Sequence, residues 1–421
     1  MLRYKTYSFV ALLFIYAGVA WLRNGFQLPV FLYSDETHFF KTTLQFAREP
    51  IPSARLLQTY SEVITPLAFI IGGWICRLFD PTIQTLRLYN VALSFLLLTT
   101  LLWLNPGPAR RFWIVVAGLA ISQYYYYCSV YFYTDMTAVA FVMVGLIAYL
   151  KRIHWLSGVC LALAISTRQY MVVFPLAILG FELVQAYKQS SHETRVGYLI
   201  RYLRFSRWYV AALLTLVGWI LFWNGLGPSA EIARQEYDRT QYNLLYSPGF
   251  VMYAAACIGA YYVIPEFLIR PHLSFYSDYV KRQPALVLTW LLLICAIIVW
   301  FPARQTYNDY FKVAELGLLD RLVMSVGFNN VSKQIVFGGL MLLTVLRFAR
   351  FNSGLAGWIA LVNILMLGKA YVAWDKYLLP TITALWFLTL FDKYWPLVQA
   401  SIIQQNLKNE VYTTDLSSVE N

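Results

Sequence analysis

Acidic residues are scarce in this chain: 21 Asp and Glu against 33 Lys and Arg in 421 residues. All charged residues together make 13% of the sequence, where soluble domains carry roughly a quarter. The five cysteines (Cys76, Cys128, Cys160, Cys257 and Cys295) lie scattered within apolar segments. With no CxxC or metal spacing among them, neither a disulfide framework nor a zinc centre organises the chain. The four histidines are equally dispersed. There is no Gly-rich phosphate loop, no HExxH and no internal repeat, so no nucleotide cradle or metalloprotease helix announces itself.

What fills the chain instead is apolar: 59% hydrophobic and 18% aromatic residues. Runs such as 7–22, 91–104 and 284–301 are greasy enough to enter lipid, where a span needs about 20 apolar residues. Backbone in lipid must be helical or form a closed barrel, and these runs are long and continuous. The expected fold is therefore all-α, a polytopic transmembrane bundle of about 12–13 helices with juxtamembrane helices in the first outer loop. The expected spans are 7–22, 85–104, 112–131, 134–150, 153–167, 169–187, 207–224, 248–268, 284–301, 333–347, 354–371 and 377–392. The first run is longer than a signal-peptide core and lacks a small-residue cleavage site, so it reads as a retained helix. Residues 1–395 form the membrane domain and 396–421 a polar cytoplasmic tail, acidic and unstructured from Gln404 onward.

The net charge of +12 does not point to nucleic acid, because Lys and Arg gather at the ends of the apolar runs, the positive-inside pattern. With Arg3 and Lys5 in the cytoplasm and Glu62 to Phe79 not spanning, five basic groups fall inside: Arg110-Arg111, Lys151-Arg152, Lys188 to Arg207, Arg270 to Arg282, and Arg347 to Arg350. If Glu62 to Phe79 crossed, nearly all of them would face outward, so this segment is expected to lie in or re-enter the outer leaflet. The same parity puts Asp35-Glu36, Tyr133-Thr134-Asp135, Thr167-Arg168-Gln169, the loops 225–247 and 302–332, and Ala373 to Tyr377 on one outer face. Within 302–332, the residues from Phe311 to Val323 mix apolar and polar at helical spacing, as an interfacial helix does.

Charges at a membrane boundary are costly unless they have partners or work. The pair Asp35-Glu36 sits between the apolar flanks Pro29 to Tyr33 and Phe39-Phe40. Its plainer reading is a cap for a helix starting near Thr37. Its functional reading is a general base for an acceptor hydroxyl, with the second carboxylate orienting the acceptor or the first acid; the residues alone do not choose between Asp35 and Glu36. Asp135 is either an N-cap or a further acceptor-binding carboxylate. Arg168, in an abrupt turn with Gln169, either snorkels or clamps a phosphate through its guanidinium. Lys376 is similarly placed, with Asp375 beside it as the alternative counter-ion, and Arg77, Arg87, Arg304 and Lys369 are weaker candidates of the same kind. Acids and phosphate-binding cations on an outer face suit a lipid-phosphate-linked sugar, whose acceptor hydroxyl an acid deprotonates while cations steady the departing phosphate.

These residues, in this order, resemble the GT-C superfamily of polytopic glycosyltransferases. The likeness rests on Asp35-Glu36 in the first outer loop, Asp135 at the end of a span, Arg168 in a tight outer turn, and Tyr377-Leu378-Leu379-Pro380 late in the chain. Tyr33 to Phe39, Ile64-Thr65-Pro66, Tyr133-Thr134-Asp135 and Arg168-Gln169-Tyr170 look most like the alpha-1,2-glucosyltransferase family that completes the dolichol-linked N-glycan precursor. Tyr170 stands where that family has Thr, and the likeness is clear over the first 175 residues and faint beyond. The resemblance implies a hexosyltransferase, glucose foremost, with a polyprenyl-monophosphate donor and inversion at the anomeric carbon. It implies Asp35 as base, with Glu36 and Asp135 in the catalytic group. Arg168, Gln169, Lys376, Tyr133, Thr65 and Tyr377 would then bind substrate. No cofactor is expected and no metal required. Partners would be the donor, a glycan or lipid-linked acceptor, and membrane lipids. The location would be a bacterial inner membrane or the ER membrane, with the site on the outer or lumenal face. The alternative is a polytopic transporter or flippase for a lipid-linked sugar, although charges gathered at one face without repeats are unlike the usual transporter plan.

Overall fold

Helix is the form in which an apolar chain satisfies its own backbone away from water. In the computed structural model, which describes residues 2–23, 25, 27–28, 35–189, 195–228, 246–269, 273–301, 317–348, 354–370 and 374–391, no strand occurs among the described residues. The expected features at Pro29 to Ser34, most of loop 225–247, residues 302–316 with Arg304, Ala373 and the tail 396–421 lie outside the described residues.

The protein is an all-α polytopic membrane bundle. Among the described residues six helices are long and apolar enough to cross a membrane: Arg3–Leu22, Ile83–Leu104, Gln169–Lys188, Tyr202–Trp223, Pro248–Leu268 and Asn330–Phe348. A seventh arises if Gln123–Val130 and Thr134–Leu150, bent by 108° against each other, count as one span. The other expected spans fall on shorter apolar helices. The run 112–131 is divided at Ser122 into Ala109–Ile121 and Gln123–Val130, because Ser122 is extended (φ −72°, ψ 98°). His154–Thr167 and Gly354–Leu367 have 14 residues each, about 21 Å at 1.5 Å per residue.

In chain order, α1 is Leu2–Leu22, α2 Asp35–Arg48, α3 Ala54–Thr59, α4 Leu67–Leu78, α5 Ile83–Leu104, α6 Ala109–Ile121, α7 Gln123–Val130, α8 Thr134–Leu150 and α9 His154–Thr167. A 3-10 turn, Gln169–Val172, leads into α10, Val173–Gln189, and then α11, Arg195–Trp223. The π turn Gly259–Val263 joins α12, Pro248–Ile258, to α13, Ile264–Ile269. The rest are α14 Leu273–Arg282, α15 Pro284–Trp300, α16 Leu318–Ser325, α17 Asn330–Phe348, α18 Gly354–Leu367 and, after the 3-10 turn Asp375–Leu378, α19 Leu379–Phe391.

Two helices form the axle. α8 and α19 pack on each other and are buried on nearly every side, with Trp386 fully enclosed between α19 and α6. α9 packs along α8, α11 along α9, and α10 against α11 and α18. α12 lies between α17 and α18, while α15 covers α17 and α1 covers α5.

The first loop carries its own small core. α2 and α4 pack face to face around Phe39, Phe46, Phe69 and Tyr60, with Trp223 of α11 closing the cluster. Gly73 permits this approach, since a Cβ there would lie 2.7 Å from the Phe46 backbone carbon. α4 has 12 residues, about 18 Å of helix against a hydrocarbon core of about 30 Å. It docks on α2, α5 and α9.

Candidate functional site

Four helix starts meet at one end of the axle: α2 at Asp35, α8 at Thr134-Asp135, α10 with its leading turn at Arg168, and α19 with its leading turn at Lys376. Their first residues touch one another. Lys376 Nζ donates to Asp35 Oδ2, Arg168 Nη2 donates to Asp135 Oδ2 at 2.5 Å, and Tyr170 Oη donates to Asp135 Oδ1 at 2.5 Å. The Tyr170 ring stands edge-on to Tyr377 at 5.5 Å, and Tyr133 stands edge-on to Phe39 at 6.0 Å. The first turns of α2 and α8 bring the partial positive charge of a helix N-terminus, while the C-terminus of α9 ends at Arg168.

Asp35 and Glu36 part company here. Consecutive residues on a helix are turned about 100° from each other, and α2 begins at Asp35 itself, two residues before the expected start. Glu36 shares the inward face with Phe39, Thr43 and Phe46. Its carboxylate receives Arg87 Nε at 2.8 Å and Nη2 at 2.6 Å, and the Phe132 backbone N–H at 2.8 Å. Arg87 completes its fork by donating to Leu28 O at 2.7 Å. Both side chains are buried. The expectation that Glu36 belongs to the catalytic group is therefore corrected, and so is Arg87 as a phosphate candidate: each saturates the other. Asp35 instead keeps 35% of its side chain exposed.

The Glu36–Arg87 pair braces a sharp bend. Between α7 and α8 the chain is extended at Tyr131 and Tyr133, and such backbone in a bundle needs partners. Glu36 takes the Phe132 N–H, while Asn90 Nδ2 lies between 2.9 and 3.0 Å from the carbonyls of Cys128, Tyr131 and Tyr133. This bend delivers Asp135 to the site, where both oxygens are taken by Arg168 and Tyr170. Asp135 is wholly buried, so it holds the guanidinium in place and has no oxygen turned to an acceptor.

Arg168 sits on a second bend, extended at φ −148°, ψ 120° between α9 and the 3-10 turn. Its braces are two of the expected substrate-binding residues. Thr65 Oγ1 donates to Ile165 O at 2.7 Å, and Gln169 Nε2 donates to Val63 O at 2.5 Å and Leu226 O at 3.1 Å. Both side chains are thereby committed to backbone and turned from the charged residues. The Arg168 guanidinium lies 5.4 Å from the Phe39 ring centroid, and its buried Nε has no hydrogen-bond partner among the described residues.

The third bend is the turn Asp375–Leu378. Asp375, expected as a counter-ion for Lys376, faces the other way: Oδ2 accepts from Tyr261 Oη at 2.7 Å and from the Leu319 N–H at 3.1 Å. Gly317 runs so close that a Cβ there would collide with Tyr253 Oη and Asp375 Oδ1. Burial pushes the Asp375 carboxyl up, against its hydrogen bonds. Lys376 turns to Asp35 with its Nζ 3.8 Å above the Trp374 ring, whose indole N–H donates to Tyr124 Oη at 2.6 Å. Burial also pushes the Asp35 carboxyl up, but Lys376, then Arg168 and His38, outweigh it and hold it below the ordinary carboxylate range.

Of the expected residues, the structure thus brings Asp35, Asp135, Arg168, Lys376, Tyr133 and Tyr377 together and turns Glu36, Thr65 and Gln169 into braces. Sequence reasoning missed Tyr170 as a ligand of Asp135, along with Asn90, Tyr261, Trp374 and Tyr124. Arg77 and Lys369 are exposed. Among the described residues no group of three His, Cys, Asp or Glu side chains gathers to hold a metal. The architecture and its charged end define the class as an integral, multi-pass helical membrane protein. Comparison with protein-family models, with curated proteins and with solved structures gives no match for this chain.

Proposed function

We propose that the chain is a membrane glycosyltransferase. It moves a hexose, glucose foremost, from a polyprenyl-monophosphate donor to a hydroxyl of a glycan or lipid-linked acceptor, with inversion, at the outer or lumenal face of the membrane. The observation that carries this reading is the partly exposed Asp35 carboxylate joined to Lys376 beside Arg168, whose Nε is unpartnered among the described residues. A base for the acceptor and two cations for a phosphate then stand together beside the first turns of α2 and α8. Asp35 deprotonates the acceptor hydroxyl, the oxygen attacks the anomeric carbon from the side opposite the phosphate, and Lys376 and Arg168 bind the phosphate. Asp135 and Tyr170 position Arg168; Tyr133 and Tyr377 supply aromatic walls for a sugar. No metal or cofactor is assigned a role in this scheme.

One observation favours a second reading: the 108° bend between α7 and α8 is the kind of interruption that transporters place at their binding sites. A donor screen separates the two. Purified protein in vesicles, given a panel of radiolabelled polyprenyl-phosphate hexoses and a mixed glycan and lipid acceptor pool, yields a glycosylated product, and Asp35→Asn abolishes it while the protein still folds. Movement of the lipid across the vesicle without any product would establish the transporter instead. The face is tested by Asp80→Cys, an exposed position, in a chain with Cys295 replaced, since the other four cysteines are buried. An impermeant thiol reagent is expected to label Asp80→Cys from outside, and labelling from the cytoplasm reverses the topology.

A further inference from the structure

Lys376 is held differently from the other site cation. Arg168 is fixed by Asp135, and that carboxylate is in turn fixed by Tyr170. Among the described residues Lys376 has one carboxylate partner, Asp35, and an aromatic seat on Trp374. An ammonium carries three donors, so its contact with Asp35 leaves N–H groups for a second anion on the same nitrogen. Among the described residues the adjacent Asp375 makes no ion pair with it: Oδ2 of Asp375 accepts from Tyr261 and the Leu319 N–H, and its Oδ1 is buried without a partner.

This arrangement raises a difficulty for the transfer reading, on which the present inference rests. A lysine that stays on Asp35 throughout keeps the carboxylate's proton affinity low and makes it a poor base. The charges of the reaction remove the difficulty. A polyprenyl-phosphate sugar is a phosphodiester with a single negative charge. It leaves as a monoester, which carries two negative charges as the bond breaks and settles at about −1.5 to −2 at neutral pH. Asp35 over the same step goes from −1 to neutral. Negative charge therefore declines on one side of Lys376 and grows on the other, with the total unchanged.

We propose that Lys376 is shared between the base and the leaving group: it neutralises Asp35 in the resting chain and passes to the phosphate as Asp35 takes up the acceptor proton. The acceptor O–H proton goes to Asp35, and the freed electron pair forms the bond to the anomeric carbon. The bond from that carbon to the phosphate oxygen breaks, with its pair retained on the phosphate, and the ammonium of Lys376 follows the charge. Trp374, held by Tyr124, and Asp375, held by Tyr261, keep the lysine's root still while its tip changes partner.

Because coupling between two ligands of one group is reciprocal, removing Asp35 must strengthen the hold on phosphate. The test measures the affinity of a short-chain polyprenyl monophosphate, the leaving group itself, for the intact chain, Asp35→Asn, Lys376→Met and the double variant. The matching polyprenol and inorganic phosphate serve as further arms. Sharing predicts that Asp35→Asn tightens the monophosphate at least about fivefold and that Lys376→Met weakens it by a similar factor. In the Lys376→Met background, Asp35→Asn is expected to have no further effect. No tightening, or the same tightening without Lys376, overturns the sharing while leaving the donor class standing. A monophosphate that binds no better than the polyprenol overturns the donor reading and the sharing with it. Inorganic phosphate that binds as tightly as the lipid and responds in the same way supports the sharing and overturns the lipid as the source of the anion. Thermal unfolding of each variant, measured alongside, separates a lost site from a lost fold.

Discussion

The two carboxylates that stand side by side in the sequence end in opposite kinds of surroundings. Glu36 lies in a closed seat between α2, α5 and the α7–α8 bend, bidentate with Arg87 and capped by the Phe132 N–H. Asp35 lies in an open seat, with one lysine and a third of its surface free. The same division recurs at the other two charged turns. Arg168 faces the site while Gln169 is tied to Val63 and Leu226; Lys376 faces the site while Asp375 is tied to Tyr261 and Leu319. In each couple one residue is tied to the scaffold and its neighbour presents a charge, although Oδ1 of Asp375 is buried with no hydrogen-bond partner among the described residues. A charge in such a bundle is usable because the residue beside it is not.

The sharpest way to break this comparison is to measure stability. A buried pair that loses one partner leaves an uncompensated charge, which costs about 3–5 kcal/mol. Arg87→Met is therefore expected to lower the unfolding temperature in detergent far more than Asp35→Asn, whose pair is partly solvated. Equal losses in the two variants would mean that the closed and open seats are not different in kind.

The helical membrane bundle was legible in the sequence because hydropathy and backbone satisfaction leave few alternatives. Parity and the resemblance grouped Asp35, Asp135, Arg168 and Lys376 on one face, but did not say which of them pair. Their pairing depends on which helix starts meet, and that is set by bends whose angles local pattern does not encode. The division between Asp35 and Glu36 was hidden by a two-residue error: a helix starting near Thr37 leaves both acids on a flexible approach, whereas one starting at Asp35 must turn them about 100° apart. Ser122 shows the same limit, since nothing in the apolar run 112–131 distinguishes a serine inside a helix from one that ends it. Arg87 looked like one more phosphate candidate because its partner is 51 residues away.

The second couple predicts a separation in kinetics. Arg168→Ala removes a charged donor to the phosphate, and a charge-assisted hydrogen bond of about 1.5–3 kcal/mol corresponds to a fall of about tenfold to hundredfold in kcat/KM for the donor. Gln169→Ala removes braces at Val63 and Leu226, and its expected effect is on stability, with the donor KM of the folded protein retained. A change in donor KM in Gln169→Ala as large as in Arg168→Ala would place the amide in the site after all.

The smallest expected effect concerns the third couple and has a definite sign. A general base works unprotonated, so the acid limb of kcat/KM follows its pKa in the free protein. In the intact chain burial raises the Asp35 carboxyl, but Lys376 is the foremost of the groups that outweigh it, and the net displacement is downward. The limb is therefore expected below the ordinary carboxylate range. Lys376→Met removes the main opposing charge and leaves burial to act, with Arg168 and His38 as the remaining cations. The limb then moves to higher pH, and the residual activity of the variant is lost at pH values where the intact chain still works. Lys376→Arg, which keeps the charge, is expected to keep the limb low even if turnover falls, because the planar fork differs from the ammonium in geometry and not in sign. If the limb stays in place when Lys376→Met is compared with the intact chain, Lys376 does not set the proton affinity of Asp35, and the open seat is only a geometric contact.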